Sequence, residues 1–267
     1  MAYLNDFLIE DKTLVKYCGQ DKKIVIPDGI EIIGKDAFRN NKVLEEVIFP
    51  SSLREVGISA FESCYNLHHV SFNDGLKTIG FRSFLCAKIH TIDLPDSVTS
   101  VDMMAFEGDN ELVRVKLSSG VKNYTWSFRE ASLLGEIIIP DGVVSFDSTF
   151  AQTDSNPNLI LKEIHIPEGV LRIKGLAFSH FNGLKRIYLP HSLVYLDELA
   201  FRREAERIYI EPEGYEIIYN GTIDEWKQIA PYKPLPQTSI VLTQSTIKCL
   251  DGEVFVSYKT GEVIKRK

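Results

Sequence analysis

The chain lacks the features that mark the common catalytic, membrane and nucleic-acid-binding classes. No apolar run approaches the 18 or more residues of a membrane span, which argues against membrane insertion. The opening MAYLNDFLIED has no charged start followed by an apolar block and so reads as having no signal peptide. Either the protein is cytosolic or the sequence begins after a removed signal. Basic residues are outnumbered, 30 against 37 acidic, for a net charge of −7. A nucleic-acid surface would need a basic stripe instead. HExxH, GxxxxGK[ST], GxSxG and CxxC are all missing, which removes the usual markers of metal hydrolysis, phosphate cradling, acyl transfer and thiol exchange. No catalytic, cofactor-binding or metal-binding residue is therefore assigned, no cofactor is expected, and the chain reads as a non-enzyme.

What the sequence does contain is a phrase that returns about every 22 or 23 residues. IVIPDGIEIIGKDAF ends at Phe38, VIFPSSLREVGISAF at Phe61 and IHIPEGVLRIKGLAF at Phe178. The residue closing the first strand of each copy is Pro27, Pro50, Asn73, Pro95, Ser118, Pro140, Pro167, Pro190 and Glu211. An aromatic mark follows at Phe38, Phe61, Phe84, Phe106, Phe128, Phe150, Phe178 and Phe201. A fixed period of this size means that each unit cannot bury its apolar residues alone and must stack on its neighbours.

Within a unit, Ile24-Val25-Ile26 or Ile164-His165-Ile166 shows the period-2 pattern of a short strand with its outer two side chains inward. Asp28-Gly29 or Glu168-Gly169 supplies a turn after the proline. A second apolar pair follows at a spacing of three, as in Ile30 and Ile33, on a bent second side. A small residue beside the Phe, such as Ala37 or Ala60, fits a short helical turn pressed on the next coil. The expected fold is a repeat solenoid, leucine-rich-repeat-like, with a parallel β ladder on one face and short helical turns and irregular coil on the other. Its expected parts are an N-terminal cap over 1–22, about eight repeats over 23–211, and a C-terminal cap with a short helix and a β meander over 212–267. The polar stretch AQTDSNPN, in a 27-residue gap between Pro140 and Pro167, reads as a bulging loop. Thr222-Ile223-Asp224-Glu225 reads as a capping box.

The combination of Ile-Pro at the strand end, Val-x-x-Ile-Gly, then Ala-Phe and an occasional Cys three residues later, Cys64 after Phe61, resembles the BspA-type leucine-rich repeats over roughly residues 22 to 211. Asn73 and Ser118 replace Pro, and Asp102, Lys174 and Asp197 replace Gly. The resemblance implies a secreted or cell-surface protein that binds host-surface or extracellular-matrix proteins, or acts in adhesion.

Cys64 and Cys86 fall at nearly equivalent positions in adjacent coils, so pairing and separate burial both fit. Cys18 and Cys249 belong to opposite caps. The six histidines scatter over different coils; His68 and His69 are adjacent, but neighbours on a strand face opposite ways and no acidic or Cys cluster joins them. Function must then lie on what the repeat leaves free: the outward strand residues, the insertion near Asn156 and the unrepeated C-terminal segment. His165, Arg186, Tyr188, Arg207 and Tyr209 are expected to converge near the C-terminal end of the ladder, and Tyr and Arg are enriched in binding hot spots. This favours a protein-binding module. A spacer with no dedicated ligand is the alternative, and a carbohydrate-active solenoid, resting on Glu136 with Glu163, is weaker because one acid pair on an edge is most simply solvated.

Overall fold

The computed structural model describes residues 2–4, 6–153, 155–203, 214–229, 245–256 and 263–265. Each phrase forms one coil, and the fold is a β-solenoid of about eight turns. Its contacts divide it into two compact units, Met1–Pro140 and Asp141–Lys267.

On the first side of the N-terminal unit, Lys23–Val25, Glu46–Ile48 and His69–Ser71 pair in parallel. So do Thr91–Asp93, Arg114–Lys116 and Glu136–Ile138. The two ladders meet where His90 N–H donates to the His68 carbonyl at 3.2 Å. In the C-terminal unit, Glu163–His165, Arg186–Leu189, Glu216–Tyr219 and Thr246–Cys249 run parallel in that order. The middle residues (Ile24, Val47, Val70, Ile92, Val115, Ile164, Ile187, Ile217, Ile247) are buried, as the period-2 pattern requires.

The second side carries the apolar pairs, all buried, and its backbone forms a ladder of its own. Ile32–Ile33, Glu55–Val56, Thr78–Ile79 and Ser100–Val101 pair in parallel in the first unit. Ser145–Asp147, Arg172–Lys174 and Tyr195–Leu196 do so in the second. Close approach here explains the glycine that follows the second apolar residue. A Cβ on Gly57 would stand 2.7 Å from the Ile33 carbonyl oxygen, and one on Gly80 2.9 Å from that of Val56.

The expected helical turns around each Phe do not form. Instead, residues two before and two after the ring adopt positive φ: Asp36 and Asn40, Ser59 and Ser63, Arg82 and Cys86, Met104 and Gly108. Left-handed residues interrupt a right-handed helix. The alternation turns every second N–H toward the following coil. Asp36, Phe38 and Asn40 donate to the carbonyls of Ile58, Ala60 and Glu62 at 3.1, 2.7 and 2.9 Å, and Ser59, Phe61 and Ser63 repeat this onto Phe81, Ser83 and Leu85. The turn side is thus a third set of hydrogen bonds between coils.

Inside, the Phe rings stack. Phe38, Phe61, Phe84, Phe106 and Phe128 follow one another at centroid distances of 4.6, 5.1, 5.1 and 5.1 Å, with planes within 7°. Phe150, Phe178 and Phe201 continue the motif in the second unit at 5.5 and 5.3 Å. The caps finish these columns. The strands Phe7–Glu10 and Thr13–Tyr17 form an antiparallel hairpin whose Tyr17 stacks on Phe38 at 5.2 Å. Tyr215 lies edge-on to Phe201 at 6.1 Å and donates its hydroxyl to the Phe201 carbonyl at 2.7 Å. The helix α1 (Ile223–Trp226) has the capping box read from the sequence, with Thr222 and Glu225 bonded reciprocally. Thr246–Cys249, Gly252–Val256 and Val263–Lys265 form the meander. Its first strand also extends the parallel ladder, which the sequence pattern did not suggest. In the polar insertion, Thr153 and Asn156 form an isolated bridge, and Asn158 is buried with its side-chain oxygen accepting from the N–H groups of Ile160 and Leu161, both at 3.0 Å.

The four cysteines are free. Cys64 is fully buried and donates its thiol to the Phe38 carbonyl at 3.1 Å; burial pushes that thiol up to about 12, and burial pushes Cys249 up to about 11. Reactivity follows the thiolate, so a thiol reagent at pH 8 should modify the exposed Cys18 first and leave Cys64 unmodified until the chain unfolds. Mass spectrometry of a labelling time course decides this, and early modification of Cys64 would contradict the packing. Phe84→Ala, in the middle of the ring column, should cost about 3–5 kcal/mol, read from the urea midpoint. A loss below about 1 kcal/mol would show that the column is not what holds the coils.

Candidate functional site

The residues that the repeat leaves free stand on the first-side ladder. In the C-terminal unit its register puts His165, Tyr188, Ile218 and Lys248 in one outward column, and Glu163, Arg186, Glu216 and Thr246 in the next. Three of the five sequence-predicted residues are brought together there. The His165 and Tyr188 rings stack at 3.9 Å with planes 8° apart, and Arg186 lies beside them in the neighbouring column. Arg207 and Tyr209 lie outside the described residues. The strand paired to the far edge of Arg186–Leu189 is Glu216–Tyr219, so the partners of Arg186 and Tyr188 on that edge are Glu216 and Ile218. The sequence reading passed over these two and Lys248. Their signal is the alternation Glu216-Ile217-Ile218-Tyr219, which lacks the closing proline of the other strands.

The charges of the two columns pair with one another. Arg186 Nε donates to Glu216 at 2.8 Å and its Nη1 is 3.7 Å from Glu163, while Lys248 pairs with the other Glu216 oxygen. Hydrogen bonds from Lys248 and Arg186 hold the Glu216 carboxyl below its ordinary range. Exposed pairs of this kind add little net stability and are screened by salt. They do fix Arg186 and Lys248 against the sheet beside the aromatic stack. In the N-terminal unit the same logic links Asp93, Arg114 and Glu136, with Arg114 Nε 3.0 Å from Glu136. Glu136 and Glu163, the acids on which a carbohydrate-active reading rests, are thus each engaged by an arginine.

Next to Tyr188 a cleft of about 410 Å³ opens among Ile166, Leu189, Ile218, Lys248 and Leu250. Glu168 also borders it. Burial opposes the charge of this carboxyl, but hydrogen bonds from Asn220 at 2.9 Å and from the N–H groups of His191 and Ser192 at 2.9 and 3.1 Å outweigh that and hold it below its ordinary range. The cleft is thus lined by apolar side chains together with Glu168, Asn220 and Lys248, and the His165–Tyr188 stack stands at its side.

Two of the histidines are neighbours in space. His68 and His90, on different coils, stack with centroids 5.0 Å apart and planes at 20°. They occupy the same position in successive coils, 22 residues apart. The period itself was the signal that joins them.

The chain is similar to several solved structures. A leucine-rich repeat protein of T. pallidum is 26% identical, with 55% of this chain and 84% of that one covered and a TM-score of 0.43. One from Bacteroides ovatus is 18% identical over 82% and 77% of the two chains, with a TM-score of 0.46. A leucine-rich cell surface protein of Faecalibacterium prausnitzii is 19% identical over 88% and 99%, with a TM-score of 0.34. No curated protein matches the chain. Residues 9–128 and 147–230 match the BspA type leucine-rich repeat region in six copies, and the chain therefore belongs to that family.

Proposed function

We propose that the chain is a non-enzymatic, adhesion-type module that binds a protein partner through the first-side face of its C-terminal unit. Repeats of this family generally mediate protein interactions and are generally non-enzymatic. The observation that carries the reading is the stack of the exposed His165 on the half-buried Tyr188 beside a largely apolar cleft. Binding hot spots concentrate in aromatic and arginine side chains set against a pocket and ringed by contacts that exclude water. The partner supplies an apolar or aromatic side chain to the cleft. By family it is a host-surface or extracellular-matrix protein. A spacer role draws on one specific observation, the pairing of Arg186 and Lys248 with Glu163 and Glu216, which engages these charges within the face and not with a partner.

The double variant His165→Ala/Tyr188→Ala separates these readings. Both side chains stand on the outward face, so stability should change by less than about 1 kcal/mol. Immobilised wild-type protein should retain a protein from host-cell or matrix extracts that the variant, melting at the same temperature, does not. Equal retention by both, or none by either, removes the binding face and leaves the spacer.

A further inference from the structure

We propose that His68, His90 and Glu111 form a binding site for one divalent transition-metal cation of the Zn²⁺ class. The three residues come from adjacent coils of the N-terminal unit. His68 and His90 immediately precede the strands His69–Ser71 and Thr91–Asp93, and Glu111 sits in the turn ahead of Arg114–Lys116. One Glu111 oxygen lies 3.1 Å from His90 Nε2 and 3.8 Å from His68 Nδ1, and one ligand atom from each residue falls within 4.8 Å of the others. Zn²⁺ binds imidazole nitrogen at about 2.0–2.1 Å and carboxylate oxygen at about 2.0–2.2 Å, so tetrahedral ligand atoms around one ion stand roughly 3.3–3.5 Å apart. The observed separations bracket that spacing.

The backbone under the site is tied down. His90 N–H donates to the His68 carbonyl, Val113 N–H donates to the His90 carbonyl at 2.9 Å, and the buried Asp109 carboxyl accepts from Ile89 N–H at 3.0 Å. The side chains remain 40%, 55% and 39% exposed, which leaves room for a ring to turn and for water to complete the coordination. Two imidazoles and one carboxylate favour Zn²⁺, Ni²⁺ or Cu²⁺ over Ca²⁺ or Mg²⁺, which prefer oxygen.

Two features oppose the cation and make the assignment testable. His68 Nδ1 lies 3.2 Å from the Lys88 carbonyl oxygen, a contact that ligation through this nitrogen gives up. The Lys88 ammonium stands 3.7 Å from the other Glu111 oxygen and places a positive charge beside the site. Removing that charge should strengthen metal binding, whereas a purely structural cluster gains nothing from its loss.

The experiment titrates Zn²⁺ by calorimetry into the full chain carrying Cys18→Ser, so that the exposed thiol does not compete, with Co²⁺ absorption as a second readout. One ion per chain is expected. Outer-shell partners of a metal are worth roughly 10- to 100-fold in affinity, so loss of a direct ligand in Glu111→Gln should cost at least that. His68→Ala/His90→Ala should abolish the site and its Co²⁺ bands while its melting curve in chelator matches the parent. Lys88→Gln should bind more tightly than the parent. Unchanged stoichiometry and affinity in the double histidine variant, no Zn²⁺ binding by the parent, or Ca²⁺ binding as tightly as Zn²⁺ would each overturn the proposal.

Discussion

Everything in this protein depends on one match of lengths. Parallel strands repeat at about 4.8 Å, and the Phe rings of the first unit stack at 4.6–5.1 Å. A coil can therefore satisfy its backbone on both ladders and seat its ring on the previous one without distortion. Stacked rings also contribute beyond the area they bury. The remaining fixed positions follow from that interval. Glycine is needed where the second side comes within 3 Å of a neighbouring carbonyl, and alanine where the wall beside the ring has no room. In the second unit the ring spacing widens to 5.3–5.5 Å, and Phe146 and Phe181 pack against Phe178 from its sides.

Much of this was legible because it is local and periodic. The inward residues, the apolar pairs, the ring column and the capping box at Thr222 each depend on spacing within one coil, so they can be read from single positions. The turn around each ring was not legible. Its geometry depends on positive φ at Asp36, Ser59, Arg82 and Met104, residues with no side-chain type in common. What they share is the acceptor waiting in the next coil, and that is a property of the stack. The strand beside Arg186–Leu189 was similarly hidden. Ile208 and Ile210 alternate in Arg207-Ile208-Tyr209-Ile210, whereas Ile217 and Ile218 are adjacent in Glu216-Ile217-Ile218-Tyr219, so the period-2 pattern points to the first segment. Glu216–Tyr219 supplies the strand paired to Arg186–Leu189, with Glu216 bonded to Arg186 and Lys248.

The division between fixed and free positions also explains where chemistry can collect. A side chain at a free position recurs beside its counterpart about one strand spacing away, so residues remote in sequence become neighbours by arithmetic. His165 with Tyr188 and His68 with His90 arise in this way, at spacings of 23 and 22 residues. A single substitution at any such position creates or removes a pair without touching the core. The face can therefore diversify while the stack remains constant.

The alternating turn side has a direction that the ladders lack. Its paired N–H groups point toward the following coil and its carbonyls point back. Each coil is thus a donor at one end and an acceptor at the other, and the two ends of a run are chemically different. A leading element must bring donors, as Tyr17 does in bonding the Ala37 carbonyl at 3.0 Å. A trailing element must bring acceptors. Coils of this kind can be added or lost in register, but a cap moved from one end to the other meets groups of its own sign.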